Sequence, residues 1–332
     1  MEHADPQPEG LEEPLLPHQR RLQGLLRGAD ERDALGALWR RPRPALRQLH
    51  GALGLRGERG GGDAQELAGH RAHGALVRAD ALRGTVDGVI GLVGALNEEV
   101  GELRRQFGLR SIPAARGMRL YKGRLGGEEL FVAQTGVGRD NAERATGFLL
   151  RRHPVRLVVA LGFAGGLSPA LRPGELVLCL RLHCESAPGG CCRPDPGFLS
   201  LAARASSAES LQVRLGNSVT VPRLVTRSSE KLALGQAYRA QAVDMESYWI
   251  ARLACEHRVP FIAVRAISDP LGGPMPRLER VLGPAGELSW ARALVRFATH
   301  PCELARLPRL GLNARAAAHA LAAFVGALVA RL

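Results

Sequence analysis

VRLVVALGFAGGL, residues 155–167, is the stretch on which the fold turns. Its apolar residues run on without the alternation of a half-exposed strand, so both faces need cover, as in a sheet with helices on either side. The run then breaks into Gly165 and Gly166, the kind of tight exit a buried strand needs before the chain turns. Similar apolar segments lie on both sides. VDGVIGLVGAL (86–96), GELVLCLRL (174–182) and VPFIAVRAISD (259–269) read as buried strands, ELFVAQTGVG (129–138) as a strand and glycine turn, and 211–221 as a further strand. Between them DNAERATGFLLRRH (140–153), halted before Pro154, 197–208 and MESYWIARLACEHR (245–258) carry helical spacing. Strands alternating with helices predict the α/β class, with a mainly parallel sheet covered on both faces.

The chain has 332 residues, 45% of them apolar, enough for a sizeable core. Its net charge of +13 comes almost wholly from arginine: of 45 Lys plus Arg only Lys122 and Lys231 are lysines, leaving 43 arginines. Abundant Ala, Gly, Arg and Pro together match a GC-rich coding bias. With 4% aromatic residues and no basic stripe interleaved with stacking rings, nucleic-acid binding is not expected. MEHADPQPEG at the start is acidic and lacks the apolar core of an export signal, which points to the cytoplasm. Residues 1–85 have no sustained period and read as a disordered extension, or as translated sequence upstream of the true start, so one domain is assigned to 86–332. The C-terminal AAAHALAAFVGALVARL (316–332) is shorter than the roughly 20 apolar residues of a span. It reads as a core-facing helix, with a peripheral membrane contact as the alternative. Six cysteines in a cytoplasmic chain are expected as free thiols. HCESAPGGCC gathers His183, Cys184, Cys191 and Cys192 in one Gly/Pro-rich loop, but at no standard zinc spacing.

Polar residues cluster where the strands end: GALNEEV, GFAGGL and RAISD, with VDMES just before the helix that leads to the last strand. Ligands of open α/β sheets sit at such ends. Taken singly, each group has a plain structural reading. Glu98 and Glu99 suit a helix first turn, Asp244 and Glu246 an N-cap with its first turn, and Asp269 a turn before Pro270 with Arg265 as ion-pair partner.

Together and in this order, GLVGALNEEV, TGVGRDNA, LGFAGGL, VDMES and VRAISD resemble the nucleoside phosphorylase and nucleosidase superfamily, especially methylthioadenosine/S-adenosylhomocysteine nucleosidases. The C-terminal ELSWARALVRFATHPCELARLPRLGLNARAAAHAL (287–321) resembles the hopanoid-associated phosphorylase branch, thought to remove adenine from adenosylhopane. The resemblance implies a nucleoside phosphorylase-like three-layer α/β/α sandwich with a mixed central sheet. It implies that Glu246 binds the ribose 2′ and 3′ hydroxyls, with Met245 against the sugar and Asp244 shaping the site. A carboxylate suits a cis-diol because its two oxygens accept two charge-assisted hydrogen bonds. Asp269 would be the general acid at purine N7, oriented by Ser268 and kept protonated by burial. Glu99, with Arg265 nearby, would position the attacking water, and a carboxylate there disfavours phosphate. Hydrolysis is therefore favoured, with phosphate kept as an alternative co-substrate and no metal or organic cofactor required. Phe163, Ala164 and Gly165 would line the pocket, although Phe163 replaces a small polar residue of the nucleosidases. The segment 217–226, where a purine-stacking ring is often found, has none.

The expected partners are a small nucleoside and a second copy of the chain, since family members are usually dimers or larger with a pocket wall at the subunit interface. The rival from another class is a nucleoside-binding protein that has lost turnover. Deletion of residues 1–85 is expected to leave soluble yield and base release unchanged; loss of soluble protein would show that the extension belongs to the fold.

Overall fold

The computed structural model describes residues 88–115, 117–273 and 307–332. The expected extension over 1–85 and most of the stretch 287–321 lie outside them. The elements are β1 (Val89–Gly94), α1 (Asn97–Phe107), β2 (Arg110–Ile112), β3 (Arg119–Leu125), β4 (Glu128–Gln134), α2 (Arg139–Arg152) and β5 (Val155–Gly166). They continue with β6 (Leu176–Cys184), β7 (Cys191–Cys192), α3 (Pro196–Ala208), β8 (Val213–Thr220), α4 (Ser228–Tyr238), β9 (Ala242–Asp244), α5 (Ser247–Glu256), β10 (Phe261–Asp269) and α6 (Leu307–Val329). The punctuation read from the sequence operates locally. Backbone at His153 turns extended before Pro154, ending α2, and the Asp195 carboxylate accepts from the amides of Gly197 (2.9 Å) and Phe198 (3.0 Å) to cap α3.

The sheet is mixed. β4, β1, β5 and β10 run parallel at its centre, while β2 and β3 extend it antiparallel beyond β4. Gly126 and Gly127, both with positive φ (58° and 90°), make the two-residue turn between β3 and β4, a backbone few side chains would tolerate. Beyond β5 the sheet closes on itself: β5 pairs with β10, β10 with β6, β6 with β8, β8 with β9, and β9 again with β5. Closure leaves this ring of five strands no open edge. β9 runs antiparallel to β5, with Val243 opposite Gly165, and so carries the chain back along β5 towards Gly162.

Both faces of the sheet are covered, as the uninterrupted apolar strands require. Val89 and Val93 of β1 pack with Ala142, Ala145 and Leu149 of α2 and Ala251 and Ala254 of α5. Ile90 and Leu92 point the other way, towards Val100 and Leu103 of α1 and Leu321, Phe324 and Leu328 of α6. The result is the three-layer α/β/α sandwich. Helix α6 is long and apolar enough over Pro308–Val329 to cross a membrane, but half of that apolar window is buried inside the molecule.

The stretch HCESAPGGCC is a correction to the expected loop. His183 and Cys184 end β6, and Cys191 and Cys192 form β7, with Leu182 paired to Cys192 and His183 to Cys191, so ladder hydrogen bonds hold the segment as a hairpin. Five cysteines are free thiols, and among the described residues no group of three or more His, Cys, Asp and Glu could hold a metal.

Phe324, 1% exposed, is the largest apolar side chain that α6 contributes to the core. Phe324→Ala is expected to destabilise the domain by about 3–5 kcal/mol, the cost of truncating a buried aromatic ring, read from the shift in denaturant midpoint.

Candidate active site

Arg265 sits in the middle of β10 and is 1% exposed. A guanidinium there must find its counter-charges inside the protein, since removing an ion from water costs several kcal/mol. Its Nε donates to Ser247 Oγ at 2.5 Å and lies 3.5 Å from Asp244 Oδ2. Opposite Arg265 in the β5 ladder is Gly162, and the glycine is required: a Cβ there would run into Arg265 Nη1 and lie 3.0 Å from Glu99 Oε1. The guanidinium and the Glu99 carboxylate thus cross over one backbone position. Nη2 of Arg265 is buried and has no hydrogen-bond partner among the described residues.

Three carboxylates share this cation in three different ways. Asp244, at the end of β9, accepts from Ser218 Oγ (2.6 Å), Thr220 Oγ1 (3.0 Å) and the amides of Glu246 (3.0 Å) and Ser247 (2.8 Å). Burial pushes its carboxyl up, but Arg265 and these donors outweigh it and hold it below the ordinary value. Asp244 therefore stands as the permanent counter-ion. Glu99 lies in the first turn of α1, where its Oε2 accepts from the amides of Ala95 (2.6 Å) and Leu96 (2.9 Å). Its Oε1 reaches across to the amide of Phe163 at 2.8 Å. The carboxylate that caps the helix with one oxygen thus reaches β5 with the other. Burial raises its pKa against the pull of these amides and Arg265. Glu246 has one recorded donor, the amide of Gly138 at 2.8 Å, in the TGVG turn before α2. Burial and the neighbouring Asp244 push it up to about 7.

Asp269, at the exit of β10, is 5% exposed and is not paired with Arg265, which corrects that expectation. Its partner is Lys231 of α4, whose Nζ contacts Oδ2 and also donates to the backbone carbonyl of Asp269 at 3.2 Å. Ser268, expected to orient Asp269, makes no hydrogen bond to it among the described residues. Arg265 and Asp269 both lie on β10 but are four residues apart, and Ser247 and Asp244 hold the guanidinium on the β9 side. Burial raises the Asp269 carboxyl, with Lys231 opposing, and burial lowers the Lys231 ammonium, with Asp269 opposing.

The remaining residues fall around these groups. Phe163 gives its backbone amide to Glu99 while its half-buried ring packs in the apolar cluster under α6. Ala164 is buried, Gly165 lies against Lys231 and Val243, and Met245 is half-buried between Asp244 and Glu246. In the segment 217–226, Ser218 and Thr220 serve Asp244. Lys231 escaped the sequence reading, although its rarity in an arginine-dominated chain was a usable signal.

A family profile described as Phosphorylase superfamily matches residues 89–282, more than half of the chain. The chain belongs to the phosphorylase superfamily. Among curated members it is similar to the 5′-methylthioadenosine/S-adenosylhomocysteine nucleosidases of Tolumonas auensis and Bacillus cytotoxicus. It is 28% identical to the former over 56% of this chain and 88% of that one, and 30% identical to the latter over 55% and 86%. Of solved structures, the Neisseria meningitidis nucleosidase in complex with methylthio-immucillin-A superposes with a TM-score of 0.59 at 22% identity, covering 74% of this chain and all of that one. Futalosine hydrolase of Helicobacter pylori gives 0.56 at 20%, over 72% and 97%. These superfamily relatives are N-glycosyl hydrolases by name, and the structures share this chain's mixed-sheet sandwich.

Glu246 is half-protonated near pH 7, and the sugar-binding role that the resemblance implies for it calls for the ionised form. Nucleoside affinity is therefore expected to fall about tenfold per pH unit below about 7 and to level off above it, measured by calorimetry. In Glu246→Gln that acid limb should vanish along with most of the affinity; a limb that persists would assign it to another group.

Proposed function

We propose that the chain hydrolyses the N-glycosidic bond of an adenine nucleoside whose 5′ carbon carries a bulky apolar group, with adenosylhopane as the favoured substrate. The observation that supports this most is the charge of the site. Among the described residues, Glu99, Asp244, Glu246 and Asp269 are buried with Arg265 and Lys231 as the buried cations, four acids against two bases. Such a site favours a sugar that becomes cationic in the transition state and resists a phosphate anion.

In this reading Glu246 accepts from the ribose 2′ and 3′ hydroxyls, with Met245 against the sugar. Asp269 transfers its proton to N7 as the bond from C1′ to N9 breaks, the bonding pair passing into the purine. Water attacks C1′ and gives a proton to Glu99, whose remaining acceptor capacity on Oε1 lies beside Arg265. The reaction consumes water and requires no metal or organic cofactor.

Phosphorolysis is the second reading, and one observation favours it: the buried, unpartnered Nη2 of Arg265 could meet an anion. The 5′ group rests on the C-terminal resemblance to the hopanoid-associated branch, and methylthioadenosine or S-adenosylhomocysteine is the alternative. A lipid-linked nucleoside would be met by a cytoplasmic enzyme in peripheral contact with the membrane, working as a homo-oligomer.

The test is adenine release from adenosylhopane and from methylthioadenosine, with and without phosphate, following the sugar by mass. Release from adenosylhopane alone is expected, giving a free ribosyl product; a phosphorylated sugar would overturn hydrolysis, and release from methylthioadenosine would overturn the lipid substrate. Asp269→Asn should lower kcat by about 10²–10⁴-fold, the usual worth of a general acid, with nucleoside affinity changed less than about threefold. A protein that only binds nucleosides would release no base in either form.

A further inference from the structure

The second buried cation has no assigned task. Lys231 is 1% exposed, and among the described residues its ammonium donates only to the exit of β10: Oδ2 and the carbonyl of Asp269, and more distantly the carbonyl of Pro270 at 3.5 Å. Helix α4 is tied to the same exit by Ser228 Oγ, which donates to the carbonyl of Leu271 at 2.8 Å. Asp269 Oδ1 has no partner among the described residues.

We propose that Lys231 is a positioning residue for the acid of this reaction, holding Asp269 through Oδ2, leaving Oδ1 for the departing base, and meeting the carboxylate charge once the proton has gone. The inference rests on the role given to Asp269 above. The step balances: the O–H bond of Asp269 breaks, an N–H bond forms at N7, and the pair from the glycosidic bond enters the purine. What remains is a carboxylate against an ammonium, and solvent later restores the proton.

A lysine suits this task where an arginine does not. A guanidinium presents a planar fork that engages both carboxylate oxygens, whereas a compact ammonium meets one and leaves the other for the base. The chain uses arginine for 43 of its 45 basic residues, and its other lysine, Lys122, lies at the surface against Glu129. Position 231 departs from that habit inside the site. The other charged groups on the elements packed there are Arg227, Glu230 and Arg239 around α4, Arg214 on β8, Asp244 on β9 and Arg265 on β10. None of them contributes to the shifts of Lys231 or Asp269, which act on each other.

The test uses the full chain and begins with wild-type base release, whose absence would remove the proposed function itself rather than this inference. Given release, Lys231→Met is expected to lower kcat roughly 10- to 100-fold, part of the contribution of acid catalysis, with KM within about threefold. The alkaline limb of kcat should move up in pH, because Asp269 without its cation gives up its proton less readily. In Lys231→Ala, methylammonium should restore part of the rate and methanol should not. An unmoved limb and no amine rescue in folded variants would reduce Lys231 to a packing role. Should neither variant fold, wild-type protein with isotope-labelled lysine still decides, because two lysines give two resonances. The Lys231 signal should titrate below the ordinary lysine range and move on Asp269→Asn; a signal that titrates within that range and ignores that substitution would overturn the proposal.

Discussion

Three of the four buried acids at the site are arranged around one buried guanidinium. Arg265 cannot be solvated where it stands, so the elements around it are bound to supply carboxylates, and they do so from two distant parts of the chain, Glu99 on α1 and Asp244 with Glu246 at the end of β9. Removing one partner of a buried ion pair costs about 3–5 kcal/mol, much of it from the charge left behind. Asp244 carries most of this obligation, with two hydroxyls and two amides fixing its oxygens. Because Asp244 is committed to Arg265, Glu246 and Glu99 are free to sit close to a cation without being consumed by it. Burial raises the pKa of both, and Asp244 adds to the rise of Glu246.

The closed ring of strands makes this division geometrically possible. In a sheet whose strands all ran parallel, the end of β9 would lie at the same edge as the ends of β5 and β10, too far along to reach Arg265. By running antiparallel to β5, β9 delivers Asp244 and the following Glu246 back to the level of Gly162. The glycine then lets two charged side chains meet across the strand.

Much of this was legible in the sequence because burial on both faces leaves an unmistakable apolar run. The strands β1, β5, β6 and β10 and the helices α2, α3 and α5 were read with small boundary differences, and the acids Glu99, Asp244, Glu246 and Asp269 stood out against apolar flanks. The hairpin of β3 and β4 was not read, although Gly126-Gly127 marks its turn, because β3 alternates exposed and buried residues only loosely. Ion-pair partners were not legible for a more basic reason. Proximity in sequence favoured Arg265 for Asp269, four residues away, whereas the actual partner is 38 residues away on a helix whose apolar pattern is weak.

Phe163 divides its backbone from its side chain: the amide holds Glu99, and the ring packs elsewhere. Any residue but proline can supply that amide. The hold on Glu99 is therefore insulated from changes in the side chain at this position. Gly162, one residue before it, has no such freedom. Two adjacent positions of a single strand thus stand under opposite constraints, one open at its side chain and the other closed by charge.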